Sequence, residues 1–225
     1  MEKNHTLLKV MSYNIHSGKN FYMIPQLNKI IQFLQDQQPH IIGIQEINEN
    51  NKRGYQVSKL ETCLKMNQHF GEHVKIGKGY YGIGTFSSFN IIKRNHLLLP
   101  SAKEQRGLLH TVVKVNDKNL NILNTHLGLK NQERMKQLEK IEQYLQSIDT
   151  PYILMGDFNT VAPNFNSIEI IDAGKISTKE NLGTLMHSTK RIDYIFVSPD
   201  IEVIDYQVLH VNMSDHYPIL VNIKL

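Results

Sequence analysis

From Ile153 to Thr160 the chain reads ILMGDFNT, an apolar run that ends in a glycine, an acid, an aromatic residue and an amide. From Met213 to Ile219, MSDHYPI reverses the pattern, with Asp215 and His216 just ahead of an apolar run. A charge set against a buried strand is costly unless a partner or a metal takes it up. A chain folding for stability alone has little reason to keep two such segments. They point to a fold whose strand ends surround a polar site, and metal-assisted hydrolysis is the first chemistry to consider.

The remaining pattern alternates strands with helices. Leu7 to Tyr13 is a strand running into the polar group Asn14-Ile15-His16-Ser17-Gly18. Ile24, Leu27, Ile31 and Leu34 mark one face of a helix with Pro25 in its first turn. Ile41 to Ile47 is an almost continuous apolar run, as expected of a strand covered on both faces, with Glu46 at its C-terminal end. Val57, Leu60 and Leu64 suggest a second helix. Further strands are expected at Tyr81–Phe89, Leu108–Val115, Leu120–Leu127, Tyr152–Met155, Ile192–Val197, Val203–Leu209 and Ile219–Ile223. The clearest helix runs from Gln132 to Ile148, with Met135, Leu138, Ile141 and Leu145 as its apolar stripe and Glu133 and Lys136 on its wet side. Thr160–Leu185 has weak periodicity and reads as loop with short helical pieces. Two packed sheets covered by helices account for this order.

The 225 residues suit one α/β domain over residues 1–225. No apolar run is long enough to span a bilayer, and MEKNHTLLKVMSYN lacks the features of a secretory leader. Cys63 is the only cysteine, so no intrachain disulfide forms and a reducing, cytoplasmic location is the simpler expectation. A net charge of +4 is compatible with an anionic substrate without selecting one.

Polar residues recur at the strand ends: Asn14, Glu46, His126, Asp157 with Asn159, Asp193, and Asp215 with His216. A hard divalent cation such as Mg²⁺ prefers oxygen ligands, so one or two carboxylates with an amide suffice. Glu46 is the best single ligand candidate, followed by Asn14 and Asp215. Structural zinc is disfavoured, because no Cys/His cluster has the required spacing. His126 and His216 are candidates for a base or for a donor to developing negative charge. Singly, each residue has a plainer use as a turn residue, a surface acid, a core histidine or half of an ion pair. Their shared placement at strand ends argues for a common site.

In order, SYNIHSG, IIGIQEI, LNTHLG, ILMGDFNT, RIDYIF and SDHYPI resemble the motifs of the endonuclease/exonuclease/phosphatase superfamily, over nearly the whole chain from Met11 to Leu220. The resemblance implies a four-layer α/β sandwich: two packed, mostly antiparallel mixed sheets flanked by helices, as in deoxyribonuclease I. It also implies Mg²⁺- or Mn²⁺-dependent hydrolysis of phosphate esters by an activated water. By motif, Glu46 would ligate the metal with Asn14 beside it and Asp215 close by. Asp157 and Asn159 would position the water and the phosphate. His216, oriented by Asp193, and His126 would face the phosphate from two sides.

Abasic-site endonucleases commonly differ at Asn124-Thr125-His126-Leu127-Gly128 and at His16, and carry tryptophans that this chain lacks. The NIHSG form, the Lys52-Arg53-Gly54 loop and Glu104-Gln105-Arg106-Gly107-Leu108 instead resemble small bacterial sphingomyelinase-like hydrolases. Arg106 is a candidate phosphate contact or half of a surface ion pair. Tyr80, Tyr81 and Phe86 are candidates for a pocket wall, though core positions are commoner in a strand. No apolar membrane-touching loop stands out. The expected substrate is a phosphate ester, with a lipid head group or small molecule ahead of DNA or RNA, since lysine and arginine are dispersed rather than striped. An inactive interaction module is the remaining reading, disfavoured because Glu46, Asp157, Asn159 and His216 are all present.

Overall fold

The computed structural model describes residues 6–225; the first five, where the segment expected to be leaderless begins, lie outside the described residues. Strands β1 (Leu7–Asn14) and β2 (Ile41–Asn50) are parallel neighbours joined through helix α1 (Leu27–Gln37). Strands β8 (Lys118–His126) and β9 (Tyr152–Asp157) repeat this arrangement through helix α3 (Asn131–Leu145). Parallel neighbours need such a crossover, and it brings the C-terminal ends of both strands to the same edge of the sheet.

The remaining strands are antiparallel additions around these two units. β3 (Gly54–Tyr55), β4 (Asn67–Lys75), β5 (Tyr80–Ser87), β12 (Glu202–Val208) and β13 (Ile219–Lys224) complete the first sheet, ordered β12-β13-β1-β2-β5-β4 with β3 paired to β2. β6 (Ile91–Leu99), β7 (Arg106–Val115), β10 (Ile171–Asp172) and β11 (Asp193–Val197) complete the second, ordered β10-β11-β9-β8-β7-β6. Helix α2 (Gln56–Leu64) joins α1 on the first sheet, and the short α4 (Ala173–Ile176) follows β10.

Alternation along each strand divides the apolar side chains between layers. Val10 and Ile41 meet Ile122, Met155 and Ile195 between the sheets. Met11, Tyr13, Ile42 and Ile44 face the other way, with Ile30, Leu34 and Leu60 of α1 and α2. Leu123, Leu154 and Phe196 pack with Ile141 and Leu145 of α3. The expected four-layer α/β architecture is the observed one. Among the described residues, no helix is long and apolar enough to cross a membrane.

Several sequence-based expectations differ in detail. β4 and β6 were not expected: they carry NQHFGEHVK and IIKRNHLLL at the sheet edges, where half-exposed side chains show no clean alternation. In α3, Met135 is exposed while Gln137 is fully buried, because the Gln137 amide accepts from the Gly128 amide and donates to the Pro100 carbonyl, both at 2.8 Å. Helix α1 begins at Leu27, leaving Pro25 ahead of it and Ile24 exposed on a loop. That loop holds an apolar run the sequence reading passed over: Phe21, Tyr22, Met23 and Ile24 are 47% to 70% exposed.

Candidate active site

The polar residues at the ends of β1, β8 and β9 meet at one edge of the two sheets. Glu46 joins them from within β2, not from its end as expected. The strand carries a bulge between Ile44 and Ile47, and Glu46 occupies it with φ 57°. A bulge re-aims a side chain without ending the strand, and a left-handed non-glycine residue is a local cost that the surrounding structure must hold in place. His16, Ser17 and Asn159, close to this edge, also have positive φ.

Buried amides lock the sheets together beneath the site. Gln45 Nε2 donates to Asn124 Oδ1 at 2.7 Å, and Asn124 Nδ2 donates to the carbonyls of Gly84 at 2.9 Å and Ile44 at 3.3 Å. Both side chains are wholly buried, where each satisfied donor avoids a penalty of about 1–3 kcal/mol. Gly156 (φ 144°) lets β9 approach β8: a Cβ there would overlap the Thr125 carbonyl oxygen.

Asp157 is the centre of the arrangement. Its Oδ1 accepts from the Asn159 amide at 2.9 Å and its Oδ2 from Asn14 Nδ2 at 3.0 Å. Two imidazoles point at that same Oδ2, His126 Nε2 at 3.5 Å and His216 Nε2 at 3.7 Å. Burial pushes the Asp157 pKa up, with the Asp193 charge adding to it, while His216 and the two amide donors pull it back.

The two histidines are held in different states. Arg106 Nη1 lies 2.9 Å from His126 Nδ1. A guanidinium has only donors, so Nδ1 accepts, and the neutral ring carries its proton on Nε2, facing Asp157. Burial, then the positive charges of Arg106 and His216, hold the His126 pKa well below its ordinary value. His216 Nδ1 instead meets Asp193 Oδ2 at 2.9 Å. Burial alone would lower the His216 pKa, but the carboxylates of Asp193 and Asp157 overcome it and raise it. One ring is a neutral donor and the other a cation.

Other candidates take supporting positions. Arg106 is buried, forms an ion pair with the part-exposed Glu104 at 2.8 Å and also braces His126. Asn159 Nδ2 donates to the Leu127 carbonyl at 2.9 Å. Asn14 Oδ1 accepts from the His16 amide at 3.0 Å, while Nδ2 bridges Asp157 and Glu46 Oε1, the latter at 3.2 Å. Asp215 Oδ1 lies 3.5 Å from His16 Nδ1. Tyr81 borders a cavity, whereas Phe86 is wholly buried core. Two supports lacked a sequence signal. Thr184 Oγ1 accepts from the amides of Ile192 and Asp193, and Ser214 Oγ donates to the Asn14 carbonyl.

Glu46 is half-buried, accepts one neutral amide and has no cationic partner among the described residues. Its carboxylate is a hard oxygen donor that suits a divalent cation, and the Asn14 group facing it is Nδ2, so Asn14 orients the carboxylate. Asp157, Asp193 and His216 place ligand-type atoms within 4.8 Å of one another. There, however, the hydrogen bond at His216 Nδ1 and the charge on the ring favour a proton-carrying network over a metal cage.

Solved structures share this architecture. A family protein from Leptotrichia buccalis C-1013-b is 22% identical, with a TM-score of 0.81 and coverage of 97% of this chain and 100% of that one. A functionally unknown conserved protein from Enterococcus faecalis V583 is 20% identical, with a TM-score of 0.82 and coverage of 96% and 99%. D. rerio TDP2 complexed with a single-strand DNA product is 18% identical, with a TM-score of 0.79 and coverage of 97% and 99%. No curated protein matches the sequence. Residues 11–216 match the model of the Endonuclease/Exonuclease/phosphatase family, and this chain belongs to that family of metal-dependent phosphoester-hydrolysing enzymes.

Proposed function

We propose that this protein hydrolyses a phosphate ester, most simply a phosphodiester, by direct attack of water. The observation that carries the reading is the approach of two differently charged imidazoles to Asp157 Oδ2, at 3.5 Å and 3.7 Å. Asp157 receives the proton of the attacking water; burial raises its proton affinity, as a base working near neutral pH requires. His126 donates a neutral N–H and His216 a cationic N–H to oxygens that gain charge in the transition state. Asp193 holds His216 in register and Arg106 holds His126. Asn159, anchored on Leu127, has a second amide hydrogen for a phosphate oxygen.

Glu46, with Asn14 and Asp215 in direct or water-mediated contact, would hold Mg²⁺ or Mn²⁺. Such an ion supplies Lewis-acid stabilisation of phosphate charge. A small phosphodiester or lipid head group fits the sphingomyelinase-like motifs. A nuclease reading is second, supported by the single-strand DNA product in one structural neighbour. The lone Cys63 supports a cytoplasmic location.

The test is hydrolysis of bis(p-nitrophenyl) phosphate with Mg²⁺, Mn²⁺ or chelator, followed by phospholipid and single-strand DNA substrates. Metal-dependent release of p-nitrophenol is expected. Equal turnover with chelator, or no hydrolysis of any of these substrates, would refute the reading.

A further inference from the structure

Beside the reacting centre lies a cavity of about 640 Å³ that shares Glu46 with it but includes none of Asp157, His126 and His216. Lys19, Lys52 and Arg53 line it, and none of the three forms an ion pair among the described residues. Met23, Val74 and Ile76 make part of the wall apolar. Unpaired surface cations are common. These are distinguished by being grouped around one cavity on segments whose backbone is fastened.

Asn50 Oδ1 accepts from the amides of Lys52 at 3.1 Å and Arg53 at 2.8 Å, and Asn50 Nδ2 donates to the Tyr80 carbonyl at 3.0 Å. Asn51 Oδ1 accepts from the Lys78 amide at 2.9 Å. Gln56 Nε2 donates to the Ser17 carbonyl at 2.8 Å, fastening the start of α2 to the turn before Lys19. A loop ordered before its ligand arrives loses less entropy on binding.

The charges do not balance. Among the lining residues, Glu46 and Glu104 stand against Lys19, Lys52 and Arg53. Positive charge on the lining is in excess by one, and a divalent cation held at Glu46 would add to it, whereas a phosphodiester carries one negative charge.

We infer that this cavity receives a second phosphate of the substrate, joined to the scissile one by an organic linker that lies against Met23, Val74 and Ile76. Arg53 offers a planar pair of donors and Lys52 a mobile ammonium, both suited to phosphate oxygens. The inference rests on the hydrolase reading and names its substrate class. The second phosphate has two possible sources: the next phosphate of a single-stranded nucleic acid, or a phosphomonoester on a small molecule.

Substrate pairs differing by one phosphate test it. One arm compares TpT with pTpT and TpTpT; the other compares glycerophosphoinositol with its 4-phosphate. In at least one arm the added phosphate should raise kcat/KM about tenfold or more, and that arm identifies the source. In Lys52→Gln/Arg53→Gln the ratio within the favoured pair should fall to about one, whereas Lys136→Gln/Lys140→Gln, on exposed positions of α3, should keep it. Ratios near one in both arms of the intact protein would overturn the inference while leaving the hydrolase reading standing. An equal fall in the α3 variant would also overturn it, by showing general charge attraction instead of a site. No turnover of any phosphate ester would instead reject the hydrolase reading beneath it.

Discussion

Asp193→Asn removes a charge from beside His216 while nearly preserving side-chain size, which isolates what the carboxylate does for the ring. The pair is buried, with Nδ1 and Oδ2 2.9 Å apart. Unit charges about 4 Å apart interact by about 4 kcal/mol at an effective dielectric constant of about 20, equivalent to about three pH units of the imidazole pKa. In the intact protein burial lowers that pKa, but Asp193 and Asp157 raise it overall, from 6.5 to about 10. Without the Asp193 charge it returns to about neutrality. His216 then loses its proton within the working range, and the amide can also favour the wrong tautomer.

The expected outcome is a kcat reduced by about 10²–10⁴ and a new fall in rate as pH rises through about 7. The assay is the pH–rate profile on bis(p-nitrophenyl) phosphate at saturating Mg²⁺. Stability supplies an independent check with a defined sign. A histidine whose folded pKa is raised stabilises fully below 6.5, and that contribution is lost as pH rises through about 10. Urea unfolding should show this loss in the intact protein and a flatter dependence in the variant. Superimposable rate profiles and unfolding curves would refute the argument and remove Asp193 from the mechanism.

Glu46→Gln should weaken Mg²⁺ binding, read by calorimetry, by about tenfold or more and lower activity with it; unchanged affinity would remove Glu46 from the ligand set. Asp157→Asn should lose about 10²–10⁴ in kcat while keeping fold and metal, and single-turnover hydrolysis by the intact protein in ¹⁸O-water should label the phosphate. A trapped phospho-enzyme, or near-normal turnover in Asp157→Asn, would sink the direct-attack mechanism. Burial holds His69 at about 4 and His73 at about 3, so the unfolded chain takes up protons first as pH falls below 6.5 and stability declines. Between pH 6.5 and 5 each histidine costs up to about 2 kcal/mol, less at the partly exposed His69; a urea midpoint unchanged over that interval would contradict the burial argument.

The sequence by itself determined the layers and marked the polar groups that meet at one edge of the sheets. Continuous apolar runs such as those in β2 and β9 need cover on both faces, and periodic helices such as α3 provide it. Acids and histidines at strand ends can be identified without coordinates, because a buried charge needs a reason at any position. Periodicity could not show the edge strands β4 and β6, which bury too little to carry a pattern. Nor could it show that Gln137 faces inward while Met135 faces water, since the reason lies in backbone groups of other segments. Only the tertiary structure brought Asn14 within 3.0 Å of Asp157, 143 residues away, and set Arg106 beside one histidine and Asp193 beside the other. Local sequence specifies which groups are available. Their protonation, strain and charge balance depend on neighbours that the packing of the two sheets supplies.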